Sequence, residues 1–180
     1  MQKSFSRTLL LCLWCYFATM QIAWAQSAVA ALPKSVQISG KTIDGTAFDL
    51  KQYKGKVVLA MFWATDCAVC RDKMPELREN AKGWAGKPFI TVLISTDKRM
   101  SDVASYNTVI NQSVPMKERL VQLWALDPTY KDTLATPEMI LKRTASTLPL
   151  TLVIDKQGNV VKRYQGRIPA EVWDDIAELL

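Results

Sequence analysis

Val57-Val58-Leu59-Ala60-Met61-Phe62-Trp63-Ala64-Thr65-Asp66-Cys67-Ala68-Val69-Cys70 is the stretch whose reading decides the fold. Val57 to Met61 is apolar throughout and reads as a fully buried strand. Downstream, Arg71-Asp72-Lys73-Met74-Pro75-Glu76-Leu77-Arg78 reads as a helix with a proline inside it. Two cysteines separated by two residues, where a buried strand becomes a helix, suit redox chemistry. The free backbone N–H groups and the macrodipole at a helix N-terminus stabilise an anion, here a thiolate. The spacing predicts an exposed, nucleophilic Cys67 and a Cys70 one turn into the helix that closes a disulfide. That pattern points to thiol–disulfide exchange.

Upstream, the chain opens as an export leader. Lys3 and Arg7 form a basic start, Thr8 to Ile22 is dominated by apolar residues, and Ala23-Trp24-Ala25 places small residues where a signal peptidase reads. Residues 1–25 are expected to be a signal peptide cleaved before Gln26; the alternative is an uncleaved anchor at residues 8–25 in an inner membrane. Leu11 before Cys12 and Trp14 before Cys15 do not suit lipidation. Residues 26–34 read as a tether, and 35–180 as one domain. With the leader gone, Cys67 and Cys70 are the remaining cysteines, so no disulfide framework accounts for them.

The chain has no histidine. This excludes Cys-His nucleophilic catalysis, Ser-His-Asp triads and histidine-containing zinc or copper sites. A four-cysteine zinc site would have to recruit Cys12 and Cys15 from the apolar leader, so no metal site is expected. With 23 Lys and Arg against 17 Asp and Glu, the formal charge is +6, scattered along the chain. No basic run interleaved with aromatics points to nucleic acid.

Outward from the central stretch, Ser35–Ser39 alternates as a strand, Gly40 to Gly45 supplies turn residues, and Thr46–Leu50 returns as a hairpin arm. The helix after Cys67 should run to about Ala81 and break at Gly83 and Gly86. Phe89–Ser95 reads as a parallel strand covered on both faces, and Asp102–Ile110 as a helix. Between Val114 and Ser146 the pattern is weak: Leu120–Leu126 fits a strand or a helical turn. Thr136-Pro137-Glu138 reads as a helix start leading into Met139–Arg143. Leu150–Ile154 is a strand, Asp155–Asn159 a hairpin turn and Val160–Tyr164 the return. Ile168–Leu180 closes the chain as an amphipathic helix with Val172, Trp173, Ile176 and Leu179 on one side.

With these elements in place the chain resembles the thioredoxin superfamily, and more narrowly its exported TlpA/ResA-like branch. The residues that carry the resemblance are Phe48-Asp49-Leu50, Gly55 to Leu59, Phe62-Trp63-Ala64, Cys67-x-x-Cys70, Pro75, Leu148 to Asp155 and Gly158. It covers roughly residues 35–180. It implies an α/β, thioredoxin-like fold: a central mixed sheet flanked by helices on both faces, with an N-terminal β-hairpin extension. It also implies that Pro149 is a cis-proline facing the cysteine pair, so that the Leu148 backbone can pair with an extended substrate. Trp63 would then be core and a wall of the site, making Trp63, Leu148 and Pro149 the candidate substrate-contacting residues beside catalytic Cys67 and Cys70.

Departures from the family pattern bear on mechanism. Asp66 stands where relatives usually carry an aromatic, and its carboxylate opposes thiolate formation at Cys67. Met61 stands where thioredoxins keep a buried aspartate, and Lys73 where some ResA-like reductases keep a buried glutamate. Leu148-Pro149-Leu150 replaces the Gly-x-Pro-Glu pattern of dedicated cytochrome c reductases.

The expected partners are proteins with thiols or disulfides, together with a membrane electron donor or oxidase that resets the pair. No cofactor is implied. The resemblance favours a reductant of envelope proteins or of cytochrome and metalloprotein maturation. The alternatives are a disulfide-forming oxidant, or a metallochaperone holding Cu(I) between the two thiolates with help from Met61, Met74 or another methionine. A peroxidase fits less well, because Thr65 lies two residues before Cys67 rather than three.

Overall fold

Val57–Trp63 is the axis of the molecule, and all seven of its side chains are buried. The computed structural model describes residues 35–133 and 148–180. The expected leader and tether and the 136–143 helix lie outside them. In chain order the described elements are β1 (Ile38–Lys41), β2 (Ala47–Asp49), β3 (Val57–Trp63), α1 (Ala68–Gly83), β4 (Phe89–Ser95), α2 (Met100–Ser113), β5 (Val121–Trp124), β6 (Lys131–Asp132), β7 (Leu150–Ile154), β8 (Val160–Gln165) and α3 (Val172–Leu179), with short 3-10 turns at Leu50–Tyr53 and Met116–Glu118.

The five-stranded sheet has the order β5-β4-β3-β7-β8. β3 runs parallel to β4, with Trp63 opposite Ser95, and antiparallel to β7, with Phe62 opposite Leu150. It is therefore a mixed sheet flanked by helices. A strand paired on both edges and covered on both faces must be apolar at every position, which is why β3 shows no alternation. β4 extends the parallel half to β5, resolving the Leu120–Leu126 segment as a strand.

β1 and β2 form the hairpin extension, joined by β6 into a second, three-stranded sheet. β1 starts three residues later and ends two later than its sequence pattern suggests, because it includes Gly40, which pairs with Phe48 rather than starting the turn, and β2 is one residue shorter than expected at each end. At Gly40 φ is 156°, and a Cβ there would stand 3.1 Å from Tyr130 Cα. The glycine lets the chain just ahead of β6 approach closely. β6 has only two residues, and nothing in its composition marks it as a strand.

α2 begins two residues earlier and ends three later than expected, whereas α3 is shorter. Ile168–Glu171 forms turns rather than helix, with Val172 N–H reaching Pro169 O and Trp173 N–H reaching Ala170 O. The β7–β8 turn is held by Asp155, whose carboxylate accepts from Gln157 N–H, Asn159 N–H and the Asn159 amide. Gly158 takes φ 90° there, a value suited to glycine.

Candidate active site

β3 ends at Trp63, and three residues later the chain enters α1 with Cys67 as its N-cap. The Cys67 sulfur accepts the Cys70 N–H at 3.2 Å, so the sulfur itself does the work a Ser or Asp cap does elsewhere. Cys67 and Cys70 are joined by a disulfide, their Cα atoms 5.2 Å apart. Cys67 is 5 % exposed and Cys70 0 %. Cys67 is thus less open than an exposed nucleophile should be, its sulfur being tied to Cys70 and turned into the first helical turn. It is nevertheless the outer of the two.

The loop before Cys67 is anchored by a buried acid that sequence reading passed over. Asp97, 7 % exposed, accepts the Thr65 N–H at 3.0 Å, the Thr65 hydroxyl at 2.6 Å and the Ser95 hydroxyl at 2.7 Å. Its own carbonyl accepts the Trp124 indole N–H at 2.7 Å. Arg71, one turn into α1, donates to Thr65 O. Thr65 is therefore held from both sides, and with it the backbone that delivers Cys67. A signal for Asp97 did exist. Ser95-Thr96-Asp97 is a polar step at the C-terminal end of a buried parallel strand, where α/β sheets place their sites.

The Leu148–Pro149 peptide bond is cis. Both residues are buried at the entry to β7, and continuing the Phe62–Leu150 register brings them alongside the Trp63–Ala64 end of β3. The Pro149 carbonyl accepts the Gly166 N–H at 2.8 Å. Trp63 shows no surface to solvent and packs its ring 5.0 Å from that of Tyr106, underlying the site rather than lining its opening. Burial raises the Tyr106 phenol above its ordinary pKa, against the pull of Arg78 and Arg71.

The charged groups around the cysteines divide by exposure. Asp66 faces solvent. Lys73, largely buried, donates to Glu76 at 2.7 Å and to Ile168 O at 3.1 Å. Glu76 also takes the Trp173 indole N–H. Burial pushes the Glu76 carboxyl up, but the hydrogen bonds from Lys73 and Trp173 and the Lys73 charge outweigh it and hold the carboxyl below its usual value. Lys73, in the position expected for an acid, is thus committed to Glu76 and to the Ile168 carbonyl in the segment before α3, while Glu76 links α1 to α3 through Trp173. Met61 is fully buried. Among the described residues, no group of three or more His, Cys, Asp or Glu side chains could hold a metal ion.

Residues 28–179 match the Redoxin family. The thioredoxin-like protein YneN of Bacillus subtilis is 37 % identical over 141 residues, 77 % of this chain and 74 % of that one. The thiol-disulfide oxidoreductase ResA of Bacillus thuringiensis is 25 % identical over 133 residues, 74 % of this chain and 68 % of its own. The crystal structure of a thioredoxin-family thiol:disulfide interchange protein from Chlorobium tepidum matches with a TM-score of 0.59 at 26 % identity, covering 84 % of this chain and 97 % of that one. A family match across most of the length, joined to a disulfide closed at a helix N-terminus, leads to one assignment: the chain belongs to the Redoxin family and is a thiol–disulfide oxidoreductase of thioredoxin-like fold.

Proposed function

We propose that this protein is an exported reductant of protein disulfides, with Cys67 as the attacking thiolate and Cys70 as the resolving one. The observation that carries the division of roles is the unequal burial of the two sulfurs' residues, 5 % against 0 %. The Cys67 thiolate attacks a substrate disulfide, forming a mixed disulfide and releasing one substrate thiolate. Deprotonated Cys70 then attacks Cys67 Sγ, releasing the second substrate thiolate and leaving Cys67–Cys70 oxidised. Two electrons pass to the substrate, and a membrane electron donor restores the dithiol. The placement of Leu148 and Pro149 alongside the Trp63–Ala64 end of β3 supports the reading in which an extended substrate pairs with the Leu148 backbone beside Cys67, with Trp63 as the wall behind it. The leader-like residues 1–25 support export, and among the described residues no helix is long and apolar enough to cross a membrane.

Trapping tests the roles. In a background with Cys12 and Cys15 replaced by serine, Cys70→Ser accumulates partner proteins covalently bound through Cys67, and Cys67→Ser does not. Equal trapping by the two variants would refute the assignment. Direction is tested by equilibrating the pair against glutathione: a reductant has the lower potential of the two couples. A potential well above that of glutathione, with the pair oxidised in cells, would make the protein an oxidant.

A further inference from the structure

Alongside the redox pair, a cleft of about 110 Å³ runs down one face of α1. Val69, Asp72, Lys73 and Glu76 form one wall, spaced three and four residues apart so that they share that face. Arg167 and Ile168 form the other. Both walls are tied to the chemistry. Val69 lies between the two cysteines, and Arg167 follows Gly166, whose N–H donates to Pro149 O at 2.8 Å. Sites for drug-sized ligands run to about 300–1,000 Å³, so this cleft takes a single small group.

Its charges divide into a pair that is used and a pair that is not. Lys73 and Glu76 neutralise each other at 2.7 Å, and Glu76 also takes the Trp173 indole. Asp72 and Arg167 are both exposed, and neither enters an ion pair among the described residues. An unpaired carboxylate and an unpaired guanidinium therefore line one small space beside a reactive disulfide. A ligand of one sign satisfies one of them and is repelled by the other. A zwitterion satisfies both through charge-assisted hydrogen bonds, and its carbon stem rests on Val69 and Ile168.

We propose that the cleft binds the ammonium and carboxylate of an amino acid whose sulfur is in disulfide linkage, so that cystine-type disulfides are substrates of the pair. This deepens the reductant role proposed above and rests on it. Asp72 takes the ammonium and Arg167 the carboxylate. The Cys67 thiolate attacks the near cystine sulfur, forming a mixed disulfide and releasing one cysteine. Deprotonated Cys70 attacks Cys67 Sγ and releases the second, leaving Cys67–Cys70 oxidised. Two electrons pass to cystine, and the two protons of the dithiol end on the two free cysteines. Glutathione disulfide carries the same ammonium and carboxylate farther from its sulfur, and the test separates the two sources.

The test is single-turnover oxidation of the prereduced full chain, with Cys12 and Cys15 replaced by serine, by small disulfides that differ in charge. Cystine carries both groups, cystamine only the ammonium, dithiodipropionate only the carboxylate and hydroxyethyl disulfide neither. Each rate is divided by that with hydroxyethyl disulfide, which cancels changes in thiol reactivity. Asp72→Asn is expected to lower the ratio about 10-fold for cystine and cystamine but not for dithiodipropionate. Arg167→Gln lowers it about 10-fold for cystine and dithiodipropionate but not for cystamine. Misfolding does not produce that crossed pattern, and cystine is neutral overall, so its loss in both variants is not long-range attraction. The same double loss with glutathione disulfide in place of cystine assigns the cleft to that source. Ratios that neither substitution changes, or that both change alike for every disulfide, overturn the proposal. In that event, reduction of insulin disulfides by the same protein leaves the reductant role standing, whereas failure on insulin and on every small disulfide removes both.

Discussion

Around the redox pair, two aspartates act in opposite ways. Asp97 is a buried carboxylate whose oxygens are filled by the Thr65 amide and by two hydroxyls. Asn in its place keeps the shape but turns one acceptor into a donor that faces hydroxyl and amide donors. Asp97→Asn is expected to lose about 1–3 kcal/mol of stability, read from the urea midpoint. It should also slow disulfide exchange at Cys67, because the Thr65 backbone loses its anchor. Exchange at the wild-type rate would mean that the anchor stabilises the fold without positioning the cysteine. Asp66 is exposed, and its charge acts on Cys67 through solvent. Asp66→Asn should speed alkylation of Cys67 at neutral pH in the Cys70→Ser background, because a negative charge that opposes the thiolate is gone. A slower reaction would show that Asp66 acts through hydrogen bonding instead of charge.

At the level of elements, the central strand and the hairpin extension are vulnerable for different reasons. Leu59, in the middle of β3, is fully buried and paired on both sides. Leu59→Ala removes buried methyl groups and leaves a cavity, so a loss of about 2–5 kcal/mol is expected in chemical denaturation. Gly40 is sensitive to addition. Its Cβ would press within 3.1 Å of the Tyr130 backbone, at a φ that other residues rarely adopt. Gly40→Ala should cost about 1–3 kcal/mol and loosen the β1–β6 pairing. Hydrogen exchange would show this as faster exchange at Thr133 N–H, which donates to Gln37 O at 3.1 Å, with β3 amides unchanged.

Across the whole molecule, ionisable side chains tie the ends of the fold together and give stability a pH window. Tyr164 on β8 donates to Asp175 on α3. Burial, that hydrogen bond and the Asp175 charge push its phenol up to about 12. A phenol whose folded pKa lies above the unfolded value of about 10 contributes stability that is complete below pH 10 and is lost as pH rises toward 12. Tyr164→Phe should therefore destabilise at pH 8, and the gap from wild type should shrink by pH 12. A gap that held constant would show that the hydrogen bond does not link protonation to folding. The acid side has the opposite sign. Hydrogen bonds from Tyr164 and Lys162 hold the Asp175 carboxyl below its usual value. At Asp155, burial raises the carboxyl but the hydrogen bonds of the β7–β8 turn outweigh it and lower the pKa. Their contribution is complete above about pH 4 and is lost as pH falls through their depressed values.

How much of this was legible beforehand depended on range. β3, β4, β7, β8 and the start of α1 are marked by their own residues: runs of Val, Ile and Leu for buried strands, Asp155 to Asn159 for a turn, Cys67 and Cys70 for the chemistry. A strand buried on both faces has no freedom in composition, so its sequence declares it. β6 is only Lys131–Asp132 and exists because β1 offers it an edge. Asp97 reads locally as one more polar loop residue, and becomes an anchor only because β4 runs parallel to β3 and brings Ser95 beside Trp63. Likewise Lys73 and Glu76 look like a solvated pair on one helix until Trp173 and Ile168, nearly a hundred residues on, close over them. The sequence by itself determined the redox pair and the buried strands around it, because adjacent residues carry those signals. Only the tertiary structure decided what holds the pair in place, because hydrogen bonds between distant segments leave no pattern in either segment alone.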